Sequence, residues 1–323
     1  MIKEARGFGK IILLGEHFVV HNLPALVVAL DLYTTATLRQ CSDNSFVVDD
    51  NRFKVPDFKS TKKDLYEKMI QTIFEVMDIS TAGWCVELGG SLPVTSGGIG
   101  ASAATAVAVA RALDQTFGLN LDDEKINQAA WCGEHVIHGT PSGIDNTAAT
   151  YGGMFVYQRA LQENNFYKQD FALHNQLYLV IVDSGRSTNI RQVLAAVAAV
   201  KVQRPEILDK IFKKYAELFS KGIDAFERCD LITFGNVMFE NHCLFQEMGL
   251  SSPELDFLID RASAAGALGA KMTGTGCGGI VVVLADSVAS QLRLMNEFES
   301  HGFYSLPTVV GSSMHERSVQ AQV

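Results

Sequence analysis

The chain has 323 residues, of which 47% are apolar and 20% charged, so it can bury the core of one large domain or two modest ones and is too apolar for wholesale disorder. A net charge of −9 argues against a broad nucleic-acid-binding surface but leaves room for a local basic pocket that takes phosphate. The six cysteines are scattered, with neither a disulfide framework nor CxxC zinc spacing, and no stretch is long and apolar enough to span a membrane. A cytoplasmic protein is the expectation, with no signal peptide before IILLGEH and an organellar address left open.

In chain order, KIILLGEH reads as a buried strand entering a glycine turn. LPALVVAL and the following YTTATLRQ read as further strand material. Pro56 and the lysine-rich FKSTKKD mark a surface break before a helix over DLYEKMIQTIFEVM. WCVELGG is a strand that leads into the glycine-rich SLPVTSGGIG. Ala101–Phe117 has strong helical composition, and Gly118 is its natural stop.

The apolar spacing in INQAAWCGEHVIH predicts another helix, ending near HGTPSG. Thr140 and Pro141 look like an N-cap and first helical residue, with Asp145 one turn further on. LYLVIVDSG is a strand with Asp183 to Thr188 at its mouth, and residues 189–249 read as mostly helical. LDFLIDRASAAGALGA is a further helix candidate, followed by the glycine-rich KMTGTGCGG and the strand-like IVVVLA. The mixture of elements and a composition change near residue 177 favour two joined α+β domains, 1–177 and 178–323. A uniform parallel α/β fold stays open.

The chemistry centres on GGIGASAA. A glycine loop feeding a helix binds phosphate through converging backbone N–H groups and the positive helix end, but it serves equally as a tight turn before a packed helix. Gly97, Gly98 and Gly100 permit close approach, and Ser102 adds a hydroxyl for magnesium or phosphate. The stretch lacks GxxxxGK[ST] and is not the common P-loop. Phosphate chemistry needs a cation and carboxylates from elsewhere, which Lys10, Glu134 and Asp145 supply. In ATP-dependent phosphoryl transfer, Glu134 would share magnesium with Ser102. Asp145 would accept the substrate proton, and Lys10 would hold Asp145 ionised. Taken singly, a Lys–Asp pair is often structural and a glutamate often only solvates a helix.

Other readings compete. Cys132, His135 and His138, or His17 and His21, could hold zinc, but GEHVIHG is not HExxH. KMTGTGCGG is either a tight crossover or a second loop closing a phosphate site, with Thr273 and Thr275 as hydrogen-bonding groups. Arg186 in GRST is either a ligand contact or a surface ion pair.

KIILLGEH, SGGIGASAA, EHVIHGTPSGIDN and KMTGTGCGG, taken in that order, resemble the GHMP small-molecule kinase superfamily, and within it the mevalonate kinase family. The resemblance covers most of the chain. It implies an α+β, two-domain GHMP kinase fold, with an N-terminal domain like ribosomal protein S5 domain 2 and a ferredoxin-like C-terminal domain. It implies ATP and Mg2+ as cofactors and (R)-mevalonate as substrate. The family's phosphate loop maps onto Ser96, Gly97, Gly98, Ile99, Gly100, Ala101 and Ser102, with Ser91 and Lys10 also on the nucleotide side. The magnesium ligands fall on Ser102 and Glu134, the catalytic pair on Asp145 and Lys10, and the substrate side on His17, Asp145 and Thr188.

Two positions depart from the family pattern. Ala101 stands where a second serine is common, and Cys277 where glycine is usual. The resemblance also leaves room for a homodimer and for inhibition by isoprenoid diphosphates. Alternatives are a kinase of phosphomevalonate, homoserine or a sugar, or an inactive binding module on the same fold.

Overall fold

The computed structural model describes residues 5–55, 63–95, 97–159, 166–170, 176–186, 193, 205–274 and 276–311. Its spine is a pair of long antiparallel strands, β1 (Ala5–Leu14) and β2 (Ala25–Gln40). The strand material read over LPALVVAL and YTTATLRQ is one continuous strand, and residues 25–40 hold neither glycine nor proline to break it. The other edge of β2 is divided. Its N-terminal half pairs with β5 (Met154–Arg159), which continues to β6 (Phe166–Asp170). Its C-terminal half pairs with β4 (Trp84–Gly90), which continues in parallel to β3 (Val47–Asp50).

Helices α1 (Lys63–Val76), α2 (Ala101–Phe117), α3 (Asp123–His138) and α4 (Ile144–Tyr151) accompany this sheet. α2 touches β1, β2 and each of the other three, and its alanines and valines are buried on nearly every side. Small residues let it lie so close to β1 that a side chain on Gly7 would collide with the Ala104 carbonyl. α2 spans the expected residues and ends at Gly118, whose φ of 63° is the left-handed turn expected of a glycine stop. α3 starts three residues before the predicted INQAAWCGEHVIH, because the Asp122 side chain accepts from Lys125 N and caps it.

A second, wholly antiparallel sheet has the order β10 (Ser305–Val310), β7 (Leu177–Asp183), β9 (Ile280–Ala285), β8 (Gly269–Thr273). Every residue of β9 is buried, as an uninterrupted apolar run between two neighbours requires. α5 (Pro205–Glu227), α6 (Leu231–Glu247), α7 (Pro253–Ala264) and α8 (Val288–Ser300) complete this half. The halves meet around Phe18, which stacks on Tyr215 at 3.8 Å while the Tyr215 hydroxyl donates to Pro24 O at 2.6 Å. Burying a side chain as large as Phe18 contributes about 1.5–3 kcal/mol.

Two expectations are corrected. The helix carrying Asp145 starts at Ile144, with Gly143 as its cap at φ 87°, so Thr140 and Pro141 are neither cap nor first turn. Tyr157 donates to Ser142 O at 2.6 Å and holds the preceding residues in a loop. The helix read through LDFLIDRASAAGALGA stops at Ala264, because the chain turns at Gly266 (φ 83°) and Gly269–Thr273 is drawn into β8 by pairing with β9.

Candidate active site

The loop from β4 into α2 begins with Ser91, whose hydroxyl accepts from Tyr33 N at 3.2 Å and fastens the loop to β2. At Gly98 the backbone takes φ 96°, and a Cβ there would lie 2.8 Å from both Thr273 O and Ile280 Cγ1. Only glycine fits, because this loop abuts the second glycine loop, the one that follows β8. Gly100 caps α2 at φ 70° without any side-chain hydrogen bond. The first N–H groups of α2 therefore remain for an anion, and the helix dipole adds attraction for negative charge. Ile99 is buried, and its carbonyl accepts from Lys10 N at 3.0 Å. Ala101 opens α2, with no hydroxyl to offer.

Lys10 lies on β1 directly beneath this loop. Its ammonium donates to Gly98 O at 3.2 Å and contacts Asp145 Oδ1 at 3.1 Å. A Cβ on Gly100 would sit 2.9 Å from Lys10 Cγ, so the bare glycine makes room for the lysine stem. Asp145 is in the first turn of α4, which its neighbours hold firmly. Asn146 donates to Asn127 Oδ1 on α3 at 2.6 Å, and Arg111 on α2 donates to Thr150 O at 2.8 Å. The Lys10 side chain is 4% exposed and that of Asp145 is 29% exposed. The cation is thus enclosed while the carboxylate stays within reach of a ligand.

Ser102 and Glu134 approach each other through His138. His138 Nε2 is 3.4 Å from Ser102 Oγ and 3.5 Å from Glu134 Oε2, and the Glu134 side chain is only 1% exposed. Burial pushes the Tyr66 phenol up to about 12; Arg52 opposes this and the Glu134 charge adds to it. The hydroxyl and carboxylate are hard oxygen donors of the kind that suits magnesium. Set beside the anion-accepting N-terminus of α2, they fit such an ion. Among the described residues, no cluster of three or more His, Cys, Asp or Glu side chains could hold a metal alone. The zinc reading finds no support: His135 Nδ1 is 2.9 Å from Trp131 O, and His138 faces Ser102 instead. Sequence reasoning weighed His138 only for zinc, although its i+4 spacing from Glu134 on one helix was the available signal.

His17 caps the short 3-10 turn Phe18–His21 and meets Phe245 of α6 edge-on, with ring centroids 6.3 Å apart. Arg186 forms a surface pair with Glu254 at 2.7 Å. Cys277 adopts φ 55°, the left-handed region its glycine-like position demands, and its N–H donates to Leu250 O at 2.8 Å. Ser96, Thr188 and Thr275 lie outside the described residues. Sequence reasoning also missed the pairing of Glu16 with Lys271, both fully buried.

The family described as GHMP kinases N terminal domain matches residues 64–153, and GHMP kinases C terminal matches residues 223–302. The mevalonate kinase of Pyrococcus abyssi (strain GE5 / Orsay) is 30% identical over 298 residues, covering 85% of this chain and 86% of that protein. The mevalonate kinase of Thermococcus onnurineus (strain NA1) is 29% identical over 305 residues, covering 88% and 89%. The crystal structure of L. major mevalonate kinase in complex with R-mevalonate superposes with a TM-score of 0.89 at 35% identity, over 96% of each chain.

Proposed function

This chain belongs to the GHMP kinase family, and from that membership we propose that it is a mevalonate kinase. It transfers the γ-phosphate of ATP to the 5-hydroxyl of (R)-mevalonate, forming 5-phosphomevalonate for isoprenoid and sterol precursors. The observation that carries this reading is the Lys10 ammonium, which touches both Asp145 and the Gly98 carbonyl of the phosphate loop. One cation thereby joins a proton-accepting carboxylate to the place where a transferring phosphoryl group would lie.

The residues divide the work. Asp145 orients the 5-hydroxyl and takes its proton as the O–P bond forms and the bond from the γ-phosphorus to the ADP oxygen breaks. Lys10, 3.1 Å from Asp145, holds that carboxylate in place and faces the negative charge that develops on the transferring group. The N–H groups of the loop from Gly97 to Ser102, with Ser96 and Ser91 on the nucleotide side, position the phosphates. Ser102 and Glu134 would hold Mg2+, which when bound would neutralise phosphate charge. His17 and Thr188 belong to the mevalonate side of the site.

The division into units 1–177 and 178–323 is part of the same reading. It is supported by the change of sheet between β6, ending at Asp170, and β7, starting at Leu177. A homodimer, inhibition by isoprenoid diphosphates in the nucleotide and substrate cleft, and a cytoplasmic setting complete it. Among the described residues, no helix is long and apolar enough to cross a membrane. The test is purified protein assayed with Mg-ATP against mevalonate, phosphomevalonate, homoserine and galactose. Turnover of mevalonate above the others is expected. No turnover of any of them would sink the kinase reading, and preference for another alcohol would correct the substrate.

A further inference from the structure

β1 pairs regularly with β2 from Lys10 to Ile12, a stretch bounded by register shifts between Phe8 and Lys10 and between Ile12 and Leu14. Ile12 faces Val27 but Leu14 faces Leu26, so the ladder slips a register between them. A bulge of this kind re-aims the side chains around it and leaves the strand in need of other partners. At Ile12 those partners come from the other sheet. Ile12 N donates to Thr273 Oγ1 at 3.3 Å, and Lys271 Nζ donates to Ile12 O at 3.3 Å. Both backbone polar groups of one residue are thus held by two side chains of β8.

Lys271 has 0% exposure and reaches further. It also donates to Met272 O at 2.7 Å and to Glu16 Oε1, and its ammonium lies 5.5 Å from the centre of the Phe245 ring. Glu16 sits between Gly15, at φ 105°, and His17. Thr273 offers its carbonyl on the other side to the space beside Gly98. One five-residue strand therefore touches β1 two residues after Lys10, the turn carrying His17, and the phosphate loop. Replacing Lys271 and Glu16 together by apolar residues of similar volume is often neutral for stability. What the ammonium and hydroxyl add is direction, because each bond fixes where Ile12 sits.

We propose that Lys271 and Thr273 are positioning residues for phosphoryl transfer, clamping Ile12 so that β1 presents Lys10 and the Gly15–His17 turn in a fixed relation to the phosphate loop. This rests on the kinase reading above. Neither residue touches the reacting atoms. The clamp acts through Lys10, and an error of about 1 Å in the placement of a reacting group costs on the order of 100-fold in rate.

The test compares Thr273→Val, which keeps the shape and loses the hydroxyl, with Thr273→Ser, which keeps the hydroxyl. The readouts are kcat and KM for ATP and mevalonate, the melting temperature, and exchange of the Ile12 amide followed by NMR. Thr273→Val is expected to lower kcat by roughly 10- to 100-fold, with KM for ATP changed less than about threefold and Ile12 exchange accelerated. Thr273→Ser should restore most of the rate and the protection. Lys271→Met should lower kcat in the same direction; if it fails to fold, the two Thr273 variants decide.

Faster Ile12 exchange with kcat within about twofold of wild type would make the contact merely structural and overturn the proposal. Unchanged Ile12 exchange in Thr273→Val would overturn the clamp itself. If the wild type phosphorylates no alcohol, the kinase reading falls instead. The exchange comparison still decides the clamp, since it needs no turnover.

Discussion

The two buried lysines that meet carboxylates near β1 are chemically alike and placed to opposite ends. Lys10 and Lys271 are 4% and 0% exposed, but their partners differ: Asp145 is 29% exposed and Glu16 is 1% exposed. Burial pushes the Glu16 carboxyl above its ordinary range even against the opposing charge of Lys271. It pushes the Lys271 ammonium below its ordinary range even against Glu16. Such a pair gains from its own attraction little more than it loses in desolvation, so its worth lies in geometry. Lys10 instead shares its charge between a carbonyl of the phosphate loop and a carboxylate that a ligand can reach. Exposure of the acid, more than the presence of the ion pair, separates a pair that a ligand can reach from one that is sealed.

The largest expected effect breaks the open pair. Asp145→Ala should reduce kcat by about 100- to 10,000-fold while leaving most ATP binding, as measured by steady-state kinetics and nucleotide titration. Turnover near that of wild type would refute its role. Next comes the closed pair: Lys271→Met strands a buried carboxylate and should cost about 3–5 kcal/mol in denaturant unfolding. The double variant Lys271→Met/Glu16→Gln should recover part of it, whereas Asp145→Ala should leave unfolding nearly unchanged. If Asp145→Ala destabilised as much as Lys271→Met, the contrast would collapse.

Ser102→Ala probes the hydroxyl beside His138 and Glu134. It should weaken Mn2+ binding in the nucleotide complex by at least about tenfold, read by electron paramagnetic resonance, and normal metal affinity would remove Ser102 as a ligand.

A smaller effect tests burial by itself. Burial holds His242 below its ordinary 6.5, overcoming the hydrogen bond and charge of Asp256. The unfolded chain therefore binds this proton at higher pH than the folded one. His242 favours folding fully above that value, and its contribution is lost as pH falls through the lower folded one. His242→Gln should flatten the fall of stability between neutral and mildly acid pH. An unchanged slope would mean another group controls it. Smallest of all, Lys221→Ala breaks an exposed contact with Glu240, where both side chains are more than half open. It should cost no more than about 0.2–1 kcal/mol in the same unfolding assay.

Much of the scaffold follows from local chemistry. Alanine-rich propensity and a terminal glycine define α2 from Ala101 to Gly118, and a run of β-branched residues defines β9, whatever packs around them. The glycines of GGIGASAA likewise announce a backbone that turns sharply into a helix N-terminus. Residue type and motif order name Lys10, Ser102, Glu134 and Asp145 as candidates, since their chemistries complement one another. β8 escapes such reading because GALGAKMT has the composition of a helix end, and only hydrogen bonds to Val281–Leu284 and Ile280 make Gly269–Thr273 a strand. Thr140–Pro141 misleads in the same way, since the loop that Tyr157 fastens to Ser142 O moves the helix start to Ile144. The meeting of Lys10 with Asp145 and Gly98, of His138 with Ser102, and of Lys271 with Glu16 across 255 residues belongs to tertiary structure alone. Local sequence sets backbone preference within a few residues, whereas which carboxylate is left open and which is sealed depends on how two sheets close over β1.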